Sequence, residues 1–468
     1  VSLLYEEVVE RLAGFIRRGT YRQGAKLPSI RELAERFSCS RNTVIRAYEE
    51  LERRNLVFSV AKSGFYLVDN GAGGSELNLE AQENGSNGGI DMASASPDGR
   101  MMPFEDFRHC LNRAVELYKN MLFGYGSKEG LLTLRELLVK RLYGDQIFVR
   151  AEQVFIVSGV QQALHILAGM PFPNGKTRIL LEQPAYTGMI RSASLQGATA
   201  IGIARTEQGV NLAELEQHFR CNDIKFFYTT PRFHNPSGAS YTMEMKRAIV
   251  RLAQAYGVYV LEDDYLGDLD DRPRRDSMAA LDSSGWVVHL RSFSKTVLPG
   301  IRLGYAVVPH SLAPAMREHK AAADAGSSSL NQGALEIYLK SGMFDRHLKN
   351  VRTLYKERMA ALREACAGRL PPGIRFHAYD NGIFGMVELP DEIPAAALAA
   401  RLERLGLSVA PGNHMRLPGQ AGCGFIRLSI IRADKEEIER GITILAAELE
   451  HARKQHHRRR TIDDPAHA

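Results

Sequence analysis

The chain has 468 residues, 44% of them hydrophobic and 24% charged. This length and balance exclude a small stapled fold, and no apolar run approaches the ~18 residues of a membrane span, so two or three soluble domains without a membrane partner are expected. The net charge of +6 is modest for this size and by itself demands no nucleic-acid partner.

Residues 1–70 carry 12 Lys and Arg against 9 Asp and Glu. Leu4, Val8, Leu12, Phe15 and Ile16 recur at helical spacing, with Gly19 as a stop signal. Ser29 and Glu32 form a Ser-x-x-Glu capping box that predicts a second helix over about 30–37. Ser40 caps a third, which offers Val44, Ile45, Tyr48 and Leu51 to a core, and residues 56–68 alternate around Gly64 like a hairpin. Three short helices and a hairpin make a winged helix-turn-helix, whose third helix places its first residues at base edges in the major groove. Arg41, Asn42, Thr43 and Arg46 stand at those positions, and Ser29 at a helix start suits phosphate. On spacing alone, a three-helix domain with charges on its outer face reads equally well. The segment Leu27 to Val57 (LPSIRELAERFSCSRNTVIRAYEELERRNLV) resembles the DNA-binding domain of GntR-type bacterial regulators, and the likeness covers residues 3–68. The resemblance implies double-stranded operator DNA as partner. The wing, Val60 to Phe65, is less basic than is usual in that family.

Residues 69–90 are rich in Gly, Asn and Ser and read as a flexible linker between a domain at 1–68 and a larger one at 91–450. Beyond it, apolar runs alternate with helical patterns: VFIVSG, RILLEQPAY, KFFYTTP, VYVLEDDY, VVHLRSFSK and IRLGYAVVP. Such alternation implies an α/β domain with a mainly parallel sheet, whose ligands bind at the carboxyl ends of the strands. The unusual residues fall there. Ser158-Gly159-Val160-Gln161 opens a helix whose free amides suit an anion. Glu262, Asp263 and Asp264 crowd three carboxylates at one strand end, where a compensating cation, a proton, a metal or simple solvation is needed. Ser292-Phe293-Ser294-Lys295 sets two hydroxyls before a lysine, and Asn235-Pro236-Ser237-Gly238 is by itself an ordinary turn. Residues 451–468 are basic and read as a solvated, frayed tail. Cys39, Cys110, Cys221, Cys366 and Cys423 are scattered and unpaired in sequence, which fits neither a disulfide framework nor a zinc site. With no leader-like opening, the cytoplasm is the expected compartment.

Together and in this order, these pieces resemble the class I aminotransferases of fold type I, with a smaller C-terminal subdomain, over roughly residues 90–450. A GntR domain linked to such a domain is the architecture of the MocR subfamily of regulators. The resemblance implies pyridoxal 5'-phosphate as cofactor and assigns roles by position. Lys295 would form the Schiff base; Asp263 would pair with the ring nitrogen; Tyr265 and Asn235 would bind the phenolic oxygen; Tyr186 would stack on the ring. Gly159, Val160, Gln161, Ser292, Ser294 and Arg302 would cradle the phosphate. Tyr125, in Gly124-Tyr125-Gly126, would reach the partner's phosphate in a homodimer, and Arg427 would clamp the carboxylate of an amine or amino-acid effector. No metal is implied. The reading is a PLP-dependent regulator, and the alternative is a working aminotransferase with an appended DNA-binding domain.

Overall fold

The computed structural model describes residues 4–18, 20–21, 25–53, 56–60, 63–67, 89–272, 277–419 and 422–463. Residues 69–88 of the linker expected at 69–90 and the wing residues Ala61 and Lys62 lie outside them. The chain divides into two units, Val1–Gly85 and Ser86–Ala468.

The first unit contains α1 (Leu4–Arg17), α2 (Ile30–Arg36), α3 (Arg41–Arg53) and a hairpin of β1 (Val57–Val60) and β2 (Gly64–Leu67). Val9, Leu12, Leu33, Val44, Ala47, Tyr48 and Leu51 form its core, the stripes that the helical spacing put on one face of each helix. The capping box is present: the Glu32 amide donates to Ser29 Oγ at 3.3 Å and the Ser29 amide to Glu32 Oε2 at 2.6 Å. Ser40 Oγ accepts the Thr43 amide at 3.1 Å and so starts α3. Tyr48 stacks on Phe65 at 4.1 Å and its hydroxyl donates to the Pro28 carbonyl at 2.5 Å, which ties hairpin, α3 and the entry to α2 together.

In the second unit, β3 (Ile90–Met92) precedes an eight-stranded sheet of β4 (Val154–Val157), β5 (Arg178–Gln183), β6 (Ala200–Thr206), β7 (Gly209–Val210), β8 (Ile224–Thr229), β9 (Tyr259–Asp263), β10 (Val287–Ser292) and β11 (Gly304–Val307). Strands β6, β5, β8, β9 and β10 run parallel; β11 lies antiparallel between β10 and β4, and β7 turns back on β6. Every residue of β8 and β9 is buried, as a sheet covered on both faces requires. The connections are helical: α4 (Val160–Gly169) follows β4, and α5 (Met243–Tyr256), capped by Thr242 and ended by Gly257 at φ 59°, leads into β9.

A second sheet, in the order β12 (Phe376–His377), β13 (Phe384–Glu388), β15 (Phe425–Ser429), β14 (Leu407–Pro411) and β3, builds the smaller subdomain. Here β3 pairs in parallel with β14, Ile90 opposite Leu407, and the Ile90 amide donates to the Gly406 carbonyl at 2.7 Å. Ile90, read from composition as the end of the linker, is thus a buried strand residue; one apolar residue after a Gly-rich run gives no periodicity to read. The last helix, α6 (Lys435–Asp463), carries the stretch expected as a frayed tail at least to Asp463. A helix long enough to start in the core propagates past the point where its sequence stops being apolar.

Candidate cofactor site and nucleic-acid interface

The carboxyl ends of β9 and β10 and the start of α4 open onto a cavity of about 160 Å³. Val160, Gln161, Tyr186, Asn235, Asp263, Tyr265, Ser292, Ser294, Lys295 and Arg302, all expected from the sequence, line it. Ala95, Thr230 and Phe384 line it too and were not expected.

Asp263 ends β9 with one oxygen accepting the Tyr228 hydroxyl at 2.8 Å, while Oδ1 is buried without a hydrogen-bond partner. A buried unpaired acceptor costs about 1–3 kcal/mol, so this oxygen is poised for a donor. Burial pushes the Asp263 carboxyl up to about 7, against the Tyr228 hydrogen bond and helped by the Asp264 charge. Its neighbours are fully compensated. Asp264 faces Arg232, whose Nε donates at 2.8 Å, and Arg291 at 2.7 Å. Glu262 accepts from the Met278 amide at 2.7 Å and meets His289 Nδ1 at 2.9 Å. The crowding of carboxylates is therefore relieved by two buried arginines and a histidine, and only Asp263 is left open toward the cavity.

Lys295 follows β10, and its ammonium donates to the Ala95 carbonyl. Burial, with the charges of Arg427 and Arg302, brings it down to about 8, where a useful fraction of free amine exists near neutrality. The Tyr265 hydroxyl donates to the Phe233 carbonyl at 2.9 Å, and the Tyr186 hydroxyl to Gln161 Oε1 at 3.0 Å. Arg427 does not line the cavity but stands behind it, donating to Asn235 Oδ1 at 2.9 Å and the Ala93 carbonyl at 2.7 Å, with its guanidinium 4.2 Å over Phe384. Burial lowers it to about 10.

At the other end, α4 begins after Gly159 with no side chain capping its first amides. Gly159 has φ 80°, and a Cβ there would come within 2.5 Å of the Arg302 guanidinium, so backbone and arginine close into one cradle that only glycine permits. The Ser294 amide donates to Ser292 Oγ at 3.1 Å, which leaves that hydroxyl's proton to give. Tyr125 is 94% exposed and stands apart from the cavity in this chain. His234, next to Asn235 in sequence, is buried with its Nδ1 2.8 Å from Ser237 Oγ and held neutral by burial, down to about 3.

In the first unit, Arg41, Asn42 and Arg46 are exposed on the outer face of α3 and Thr43 is half-buried. The Thr43 hydroxyl pairs with Ser40 Oγ at 2.8 Å and Ser29 is spent on the capping box, so the long side chains of Arg41, Asn42 and Arg46 are the freest to reach bases.

Residues 90–445 match the model of the aminotransferase class I and II family, and residues 4–67 that of the gntR family of bacterial regulatory proteins. The chain belongs to the aminotransferase class I and II family. It carries a gntR-family helix-turn-helix domain on the same polypeptide, the composition of MocR-type regulators. It is 41% identical over 95% of its length, and 99% of the relative's, to the HTH-type transcriptional regulator YcxD of Bacillus subtilis. It is 27% identical to the probable rhizopine catabolism regulatory protein MocR of Rhizobium meliloti, over 81% of this chain and 80% of that one. Its structure superposes on LysN, the α-aminoadipate aminotransferase of Thermus thermophilus complexed with N-(5'-phosphopyridoxyl)-L-leucine, with a TM-score of 0.72 at 27% identity, over 79% of this chain and 94% of that one. Pyridoxal 5'-phosphate is the cofactor of aminotransferases of this class. The cavity fits it on three observations: an orphaned carboxylate oxygen for a protonated ring nitrogen, a glycine cradle with uncapped amides and an arginine for a phosphate, and a buried amine of lowered basicity between them. When bound, this cofactor supplies an aldehyde that amines capture and a ring that withdraws electrons.

Sequence reasoning missed Tyr228, Arg232 and Arg291. The excess of carboxylates at 262–264 signalled that cations must be near, but which arginines supply them depends on neighbouring strands and not on local spacing.

Proposed function

We propose that this protein is a cytoplasmic, homodimeric transcription regulator whose aminotransferase-like unit senses pyridoxal 5'-phosphate and an amine or amino acid and whose N-terminal unit reads operator DNA. Lys295 holds the cofactor, Asp263 keeps its ring nitrogen protonated, and Tyr265 and Asn235 donate to its phenolic oxygen. Tyr186 stacks on the ring, fixed by Gln161. Gly159, Val160, Ser292, Ser294 and Arg302 hold the phosphate. Arg427, already desolvated, is preorganised for a ligand carboxylate. Arg41, Asn42 and Arg46 specify bases, while Thr43 and Ser29 lie at helix starts near phosphate. Phe123 and Tyr125, 93% and 94% exposed, gain most by burial against a second copy.

The observation that carries the sensor reading is that a complete cofactor cavity shares one chain with an exposed recognition helix. A ligand shifts such a protein only through different affinities for two states, so operator DNA must change ligand affinity by the same factor as ligand changes DNA affinity. Titrating the amine with and without operator tests this. Equal affinities, together with sustained transamination of a panel of amino donors and keto acids, support the second reading, a working aminotransferase, which the intact set of Lys295, Asp263, Tyr265 and Asn235 favours.

A further inference from the structure

Ser158, where β4 turns into the phosphate cradle, is held at each of its polar groups. Its amide donates to Gln162 Oε1 at 2.8 Å, its hydroxyl to Asp324 Oδ2 at 3.3 Å, and its carbonyl accepts from Arg302 Nη2 at 3.4 Å. Gln162 turns its other end to the same carboxylate, Nε2 donating to Asp324 Oδ2 at 2.7 Å. Asp324 thus fixes the entry to α4 twice, once directly and once through Gln162. Its other oxygen, Oδ1, accepts Lys320 Nζ at 2.7 Å, and that lysine side chain is fully buried. Ser327 Oγ, which also receives the lysine at 3.4 Å, ties the group to the Ile156 carbonyl of β4 at 3.3 Å.

Asp324 caps the carboxyl end of the helix Ala313–Ala323. A carboxylate there opposes the helix dipole, and apolar residues can replace a buried ion pair without loss of stability. Neither the helix nor the core calls for this pair, whereas the cradle does. We propose that Asp324 and Lys320 are positioning residues for the cofactor's phosphate: Asp324, with Gln162, fixes Ser158 so that the first amides of α4 and Arg302 converge, and Lys320 cancels the charge of Asp324 so that this scaffold does not repel a phosphate dianion. The inference rests on the cofactor reading of the cavity and assigns what keeps the cradle in shape. Against burial, Lys320, Gln162 and Ser158 hold the Asp324 carboxyl below its usual range, so it is an anion whenever the phosphate is one. Two anions on either side of Ser158 repel unless a cation stands beside one of them, and Lys320 supplies it from a place that salt screens little.

The test titrates the cofactor-free full chain by absorbance with pyridoxal 5'-phosphate and with pyridoxal, which lacks the phosphate. The ratio of the two affinities reads the cradle, and a loss of stability elsewhere does not move it. Lys320→Met leaves Asp324 uncompensated and is expected to lower the ratio about tenfold or more, with pyridoxal affinity unchanged. Adding Asp324→Asn makes an uncharged pair whose amide oxygen still accepts from Ser158 and Gln162, and should return the ratio to within about threefold of the unaltered protein's. Gln162→Ala, at a half-buried position of α4, keeps both charges but removes the link, and should lower the ratio about fivefold; it decides alone if Lys320→Met does not fold. An unchanged ratio in either folded single variant overturns the positioning role, and so does a loss in Lys320→Met that Asp324→Asn fails to restore. In those cases a strong preference of the unaltered protein for the phosphorylated ligand leaves the cofactor reading standing. If the unaltered protein binds both ligands equally, no phosphate is held in the cradle, and the cofactor reading falls together with the inference.

Discussion

Arg41 and Arg46 stand in water on the outer face of α3, whereas Lys295, lining the cavity, and Arg427, behind it, carry the same charge into the interior, where burial lowers the basicity of both. The two regions use cations in opposite ways. On the recognition helix the charge is hydrated and screened until DNA arrives, and the free energy comes from releasing counterions and from hydrogen bonds to base edges. In the cavity the desolvation cost is already spent in folding, so a ligand meets oriented groups and little reorganisation remains. Substitutions should therefore act all-or-none in the cavity and in graded, salt-dependent steps on the helix.

The sharpest break of that comparison is Lys295→Ala. Without its amine, cofactor treated with borohydride should leave no covalent adduct, where the unaltered chain is labelled to completion; intact-mass measurement decides it. In the unaltered protein, labelling should speed up about tenfold per pH unit until about 8 and then level off, because only the free amine reacts.

Next in size is Asp263. Its folded carboxyl is raised to about 7, above its ordinary value, so between about pH 4 and 7 the folded state holds a proton that the unfolded chain has lost. Stability of the cofactor-free large unit then falls as pH rises through that window, by on the order of 4 kcal/mol at most. Asp263→Asn should flatten this slope in thermal unfolding followed by the fluorescence of Trp286, the chain's single tryptophan. Saturating cofactor should flatten it too, by giving the carboxylate a cation. A slope that survives in Asp263→Asn would place the burden on another group.

On the helix the steps are smaller. Arg46→Ala and Arg41→Ala should each lower operator affinity by about 1–3 kcal/mol while leaving binding to random DNA within a few-fold, as read by titration at several salt concentrations. Equal losses on operator and random DNA would make them phosphate contacts instead, with the salt slope reduced by about one ion each.

The same contrast governs what was legible in the sequence. The recognition unit is local: the spacing of Leu12, Val44 and Leu51 and the Ser29 and Glu32 box specify each helix within a few residues, so its elements could be read one by one. The cavity is assembled from strand ends about 200 residues apart, as in the Lys295 contact with Ala95. Ten of its lining residues were nonetheless found: eight because strand ends in a parallel sheet are marked by apolar runs or turns that the motifs follow, and Tyr186 and Arg302 through the resemblance to class I aminotransferases alone. What stayed hidden was whatever depends on which strands are neighbours: Tyr228 beside Asp263, Arg232 and Arg291 around Asp264, and β3 beside β14. No residue-level signal encodes those pairings.

The smallest predicted effect tests whether the first unit is as local as its sequence suggests. Ser29 and Glu32 satisfy each other's amides at the start of α2, and Ser29→Ala should cost about 1 kcal/mol. Trp286 lies in the other unit, so the readout is native-state hydrogen exchange at the Glu32 and Leu33 amides of the full chain. Because the two side chains form one reciprocal unit, adding Glu32→Gln to Ser29→Ala should cost less than the sum of the single changes. The Ser29 amide also holds the Glu32 carboxyl below its usual range, so the protection it gives is present above the ordinary carboxylate pKa and is lost as pH falls through the lowered one. If α2 is stabilised locally, exchange at α3 amides stays the same in Ser29→Ala while α2 opens faster. If both helices open together, the unit is a single cooperative fold, and the loss at Ser29 should then weaken operator binding through the whole recognition surface and not through one phosphate contact.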